Sequence, residues 1–151
     1  MTFPQPGIRH PELAGLYGFW QRHCPPGGVP LASDMEPADL RQWLDQLLIM
    51  DAVPADKDYA YAYYGRSFAA AFGENRIGQT LARLPEDQRR ILRSEYELVR
   101  VRREPAHRVY TADFEGVQRT WERLVLPLSS DGATVDKLLV AAYELAEGGG
   151  G

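Results

Sequence analysis

Apolar and small positions alternate most cleanly between Tyr59 and Tyr63, where Tyr59, Tyr61 and Tyr63 stand against Ala60 and Ala62. A period of two with bulky rings on one side is the pattern of a strand. Gly65 ends it, and RSFAAAF (66–72) has the composition of a short helix. Gly73 follows where a left-handed helix C-cap is expected, and Gly78 stands between Ile77 and Leu81. The stretch 59–81 thus predicts a strand, a short helix and a tightly turned connection, a unit able to form one wall of a small pocket.

Upstream, the period becomes that of a helix. Leu13, Leu16, Tyr17 and Trp20 share one helix face behind Pro11, a residue suited to a first helical turn. Gly15 and Gly18 weaken that helix by up to about 1 kcal/mol each against alanine, so it needs a partner surface, either the domain's own sheet or a second copy of the chain. CPPGGVP (24–30) breaks the pattern. Ser33 or Asp34 supplies a cap, and 37–43 predicts a short helix with Leu40 and Trp43 inward. The apolar run 44–53 reads as the first buried strand, its first half being compatible with helix as well. ADKD (55–58) is then a polar hairpin turn, and strands so joined pair antiparallel.

Downstream, Pro85 opens a helix with Glu86 and Asp87 at its positive end. Ile91, Leu92, Tyr96, Leu98 and Val99 give it a narrow inward stripe, and Pro105 halts it. Three strands complete the chain: AHRVYTADF (106–114), QRTWERLVLPLS (118–129) and VDKLLVAAYEL (135–145). The expected class is α+β, a five-stranded antiparallel sheet with helices on one face and an N-terminal helical extension. Residues 1–12 form an extended arm and 13–145 a single domain, divided into N-terminal helices (13–43) and a core (44–145). Residues 146–151 are a disordered glycine tail.

Composition narrows this picture without redirecting it. An apolar fraction of 44% and a charged fraction of 25% over 151 residues are those of one ordinary globular domain. A net charge of −4 gives no pull toward nucleic acid or an anionic membrane. A single cysteine, Cys24, excludes an internal disulfide and fits a reducing cytoplasm. No apolar run approaches the roughly 20 residues of a membrane span.

In order and spacing, LYGFW (16–20), LLIMDAV (47–53), YAYYGRSFAAAFGENRIGQTL (61–81), LVLPLS (124–129) and VDKLLVA (135–141) resemble the PAS domain superfamily. More narrowly, they resemble the single-domain PAS-like proteins of alphaproteobacteria. The resemblance covers about Leu13 to Tyr143. SDMEP (33–37) stands where an Asp-Pro pair is expected, and Ala60 and Ala62 stand where such domains often carry arginines. The resemblance implies a non-catalytic sensory or regulatory module that couples pocket occupancy to its flanking helices. Such a module binds a small molecule, a signalling protein partner, or both.

Candidate pocket residues are Tyr61, Tyr63, Phe68, Phe72 and Ile77 from the central unit, with Tyr110, Trp121 and Arg123 (and Tyr143) from the last strands. Aromatic walls with polar tips suit a small-molecule site, and they equally suit a filled core. Arg123, beside Trp121 on a strand, is the candidate to meet an anionic ligand. Leu13, Leu16, Tyr17 and Trp20 are the candidate interface of a homodimer. Among cofactors, haem by this resemblance needs a histidine near the long helix, where His107 is the one candidate, in a polar turn. Flavin photochemistry needs an Asn-Cys-Arg-Phe-Leu-like stretch that is absent. His23 and Cys24 adjoin without a second pair, so no metal is expected. Six arginines between 89 and 103 interleave with Glu86, Asp87, Glu95, Glu97 and Glu104, which reads as a salt-bridged surface rather than a nucleic-acid stripe. The chain shows no nucleophile motif or phosphate loop. The alternative is a small cone-shaped α+β enzyme, isomerase or hydrolase, with Asp51 or Asp113 as a base beside the aromatics.

Overall fold

The computed structural model describes residues 7–114 and 116–145, the side chains of Phe72, Ala112, Asp113 and Phe114 excepted. The first part of the expected arm and the whole glycine tail lie outside these residues. The chain opens with α1 (Pro11–Arg22), with Pro11 in its first turn and the His10 ring accepting from the Glu12 N–H at 3.1 Å. A 3-10 turn at 44–46 leads into β1 (Leu47–Val53). A second turn, ending on left-handed Lys57, leads into β2 (Asp58–Tyr64). The short α2 (Arg66–Phe72) ends on Gly73 at φ 77°, as the sequence predicts. The long α3 (Glu86–Arg102) is followed by β3 (Ala106–Phe114), β4 (Val117–Ser129) and β5 (Val135–Glu144).

The five strands form one antiparallel sheet in the order β2-β1-β5-β4-β3. Both faces are covered. Met50, Tyr59, Tyr61, Tyr64, Val125, Leu138 and Val140 share an inner core with Phe68 of α2 and Leu92, Tyr96 and Val99 of α3. Leu47, Leu124, Leu126, Leu128, Leu139 and Ala141 share the opposite core with α1, Met35, Leu40 and Trp43. Helices therefore gather on one face, and the N-terminal extension closes the other. That accounts for the near-continuous apolar runs of β4 and β5, which have no wet side.

Several expectations are corrected. Leu13, Leu16, Tyr17 and Trp20 are 0–2% exposed against the protein's own sheet, so this stripe is core and offers no surface to a second copy. Segment 37–43 is a chain of turns, not a helix, with Asp39 N–H donating to Glu36 O and Trp43 N–H to Leu40 O. Leu40 and Trp43 are nonetheless buried, and the Trp43 indole donates to Glu12 O of α1 at 2.9 Å. α3 ends at left-handed Arg103, two residues before Pro105. Ile91 and Leu98, expected inward, are 44% and 51% exposed, because one turn-spaced set (Leu92, Glu95, Tyr96, Val99) suffices to meet the sheet.

Candidate functional site

The inner face carries an apolar wall with one charged centre. A register shift opposite Ile49 and Met50 leaves Ala62 out of the pairing, since Ile49 meets Tyr63 and Met50 meets Tyr61. The extra residue reverses the phase of the strand. Tyr61 and Tyr64 consequently share the inner face, with ring centroids 5.4 Å apart, and Tyr64 lies 5.9 Å from Phe68. Tyr63 points to the other face, where its hydroxyl donates to Leu44 O at 3.0 Å. Burial pushes the Tyr61 phenol up to about 12.

The charged centre is Arg123 of β4. Its Nε donates to Glu95 Oε2 of α3 at 3.1 Å, and a second guanidinium nitrogen binds the same oxygen. The two side chains are 10% and 9% exposed. The guanidinium also lies 4.8 Å above the Tyr110 ring of β3. Burial works against the Arg123 charge, but the Glu95 carboxylate outweighs it and holds the guanidinium above its ordinary value. Burial raises the phenols of neighbouring Tyr96 and Tyr110 as well. Chemically, this is a paired cation and anion, capped by aromatic rings, inside an otherwise apolar core.

Of the sequence candidates, Tyr61, Phe68, Tyr110, Trp121 and Arg123 belong to this face. Tyr63 does not, Ile77 is exposed, and the Phe72 side chain lies outside the described ones. Tyr143 sits on the opposite face, its ring 4.4 Å from that of His10. Sequence reasoning missed Tyr64, Tyr96 and Glu95. The signal for Glu95 was its place between Leu92 and Val99 on the inward side of α3.

The remaining candidates lie elsewhere. His107 Nε2 meets the buried Glu122 at 2.7 Å, on the α1 side of the sheet, so it cannot reach a group held on the inner face. Cys24 follows α1, donating to Trp20 O at 3.5 Å, and burial pushes its thiol up to about 11. Among the described residues, no cluster of His, Cys, Asp and Glu could hold a metal ion. Asp51 alternates away from the inner residues Met50 and Ala52 and meets Lys137 at 2.6 Å; Asp113 has no described side chain. On α3, Arg90, Arg93 and Arg100 pair with Asp87, Asp58 and Glu97, in keeping with a salt-bridged surface.

A concavity of about 810 Å³ lies away from this face, between α3 and the β1–β2 turn. Ala52, Val53 and Pro54 form one wall, and Leu98 and Val101 the other. Two polar pairs close on each other along it: Arg93 meets buried Asp58 at 2.9 Å, and Tyr59 OH donates to Glu97 at 2.9 Å. Burial opposes the Asp58 charge, but Arg93, the Tyr59 N–H and Thr80 hold its carboxyl below the usual value.

Residues 46–148 match the family described as PAS fold. The chain belongs to the PAS-fold family. A solved structure of a sensory box sensor histidine kinase from Vibrio cholerae is 16% identical, with a TM-score of 0.54, over 76% of this PAS chain and 93% of that one. A second, from work with a flavin analogue on the light-oxygen-voltage domain mechanism, is 18% identical with a TM-score of 0.51, covering 74% and 84%. At these identities the likeness is one of fold. No curated protein matches this PAS chain. The second structure draws attention to flavin, but here the inner face has no thiol and is occupied by Tyr61, Tyr64, Phe68, Tyr96 and the Glu95–Arg123 pair. No helix of the described residues is long and apolar enough to cross a membrane.

Proposed function

We propose that this PAS domain is a non-catalytic sensory or regulatory module of the cytoplasm, related to the single-domain PAS-like proteins of alphaproteobacteria. It binds a small molecule on the inner face and passes the change to a signalling partner. The reading rests on one observation, the Glu95–Arg123 ion pair set beneath Tyr110 in an aromatic core. A ligand bearing a carboxylate or phosphate, with an apolar body, would take the place of Glu95 on Arg123 and displace α3, on which Glu95 is carried. The sensory box kinase neighbour, similar in fold, agrees with such a role. Against the enzymatic alternative, Asp51 turns away from this face to Lys137, and the carboxylate that does stand on it, Glu95, is held by Arg123.

The test is native mass spectrometry of protein purified without added ligand, compared with the denatured sample. A native-only mass excess is expected in the wild type, and its loss is expected in Glu95→Leu/Arg123→Met, which keeps the core filled. An excess unchanged in the double variant would refute this site. No excess at all would leave a filled core and a role through protein partners alone.

A further inference from the structure

The groove between α3 and the β1–β2 turn joins an apolar lining to an unbalanced set of polar groups. Leu98 and Val101 on one wall are 51% and 63% exposed, opposite Val53 and Pro54 on the other. Both carboxylates of the lining are taken. Asp58 accepts from the Tyr59 N–H and Arg93 Nε through Oδ1, and from Arg93 Nη2 through Oδ2. Glu97 accepts from the Tyr59 hydroxyl through Oε2 and from Arg100 through both oxygens.

The donors, in contrast, are not used up. Arg93 holds Asp58 through Nε and Nη2, which leaves its other terminal nitrogen over. Among the described residues no carboxylate pairs with Lys57, so with Arg93 set against Asp58 and Arg100 against Glu97, its ammonium is the surplus charge. Three cations against two carboxylates make the lining positive on a chain whose total is −4. The backbone fixes where that surplus stands. Lys57 closes the turn with φ 51°, a left-handed conformation in which asparagine or glycine is the ordinary residue, and its N–H donates to Pro54 O at 3.2 Å.

We propose that this groove binds a small amphipathic monoanion, an apolar body carrying one carboxylate. The body lies between Val53 and Pro54 on one side and Leu98 and Val101 on the other. The carboxylate takes the Lys57 ammonium and the spare nitrogen of Arg93, in charge-assisted hydrogen bonds. A cation of the same shape would meet like charge and find no open carboxylate. At about 810 Å³ the groove has the size of a small-molecule site. It shares no lining residue with the Glu95–Arg123 centre, so the proposal does not depend on the inner-face ligand.

Titration of the full isotope-labelled chain with decanoate, followed through its amide NMR shifts, tests it. Saturable shifts are expected at Val53, Lys57, Leu98 and Val101. Decylammonium, the same tail with the opposite charge, should bind at least about fivefold more weakly. Lys57→Met should raise the decanoate Kd about three- to fivefold, the upper range for an exposed ion pair. Leu98→Gln/Val101→Gln should raise it more than about tenfold by removing apolar contact, with circular dichroism unchanged because both residues are largely exposed. Glu95→Leu/Arg123→Met should leave it unchanged, which separates this site from the inner one. Shifts confined to inner-face residues such as Tyr61 and Phe68, equal binding of decylammonium, or a Kd indifferent to Lys57→Met overturns the proposal. So do groove shifts that follow protein concentration without decanoate, which would seat a second copy of the chain there.

Discussion

Gly65 sits at the corner between β2 and α2 with φ −63°, a conformation open to any residue. A Cβ there would nevertheless meet Asp45 O at 2.4 Å and Leu44 O at 2.8 Å. Both obstacles are backbone, tied in place by the Gly65 N–H donating to Leu47 O at 2.8 Å. Gly65→Ala should therefore cost at least about 1–3 kcal/mol in urea denaturation, as overpacking does. Gly73→Ala meets open space, and only its positive φ opposes it, at about 1–2 kcal/mol. The Glu95–Arg123 pair makes a second prediction at this scale. Arg123→Met alone leaves a buried carboxylate without its cation, at a cost of about 3–5 kcal/mol. Glu95→Leu/Arg123→Met should recover most of that loss in the same denaturation experiment, since neither charge then remains. A double variant as unstable as the single one would show that the pair contributes through its own attraction and not by mutual neutralisation.

At the scale of elements, α1 is held to the sheet by more than its apolar face. Glu122 of β4, fully buried, accepts from the Arg9 N–H and the His10 N–H, each at 2.7 Å, and meets the His107 ring. Burial opposes its charge, but the Arg9 N–H, His107 and the His10 N–H outweigh that and hold the carboxyl below the ordinary glutamate value. A lowered folded-state pKa means that the stabilisation is present above the unfolded value of about 4.3 and is lost as pH falls through the folded one. Glu122→Gln should thus destabilise by about 1–3 kcal/mol at neutral pH, and the gap to wild type should close in acid. A pH-independent gap in paired denaturation curves would contradict it. Such anchoring was not legible in the sequence, because a lone glutamate in a strand carries no sign of what it accepts from. The elements themselves were legible. The strands around 47–53 and 58–64, the helix closed by Gly73 and the three last strands follow from period and punctuation. An apolar stripe announces burial without naming the surface that covers it, so α1 read equally as core and as interface. The bulge at Ala62 reversed the phase that alternation assigned to Tyr63, and the apolar positions of α3 divided between two faces where a single stripe was expected. Glu95 was hidden because a charged residue in an acidic and basic helix reads as solvated.

For the whole molecule, the two-sided sheet makes the order of assembly a matter of sequence position. β5, last in sequence among the described strands, occupies the centre, with β1 on one side and β4 on the other. The hairpins β1–β2 and β3–β4 are joined only through it, and Leu47 finds its partner Ala141 across most of the chain's length. On a ribosome, both hairpins and all three helices emerge before the strand that unites them. Until residues 135–144 are free, α1 and α3 each face an incomplete sheet, and the long loop closure waits for β5. The native state thus becomes available nearly all at once as the last strand is released, and a chain stalled before Val135 presents two apolar hairpin faces to chaperones and proteases.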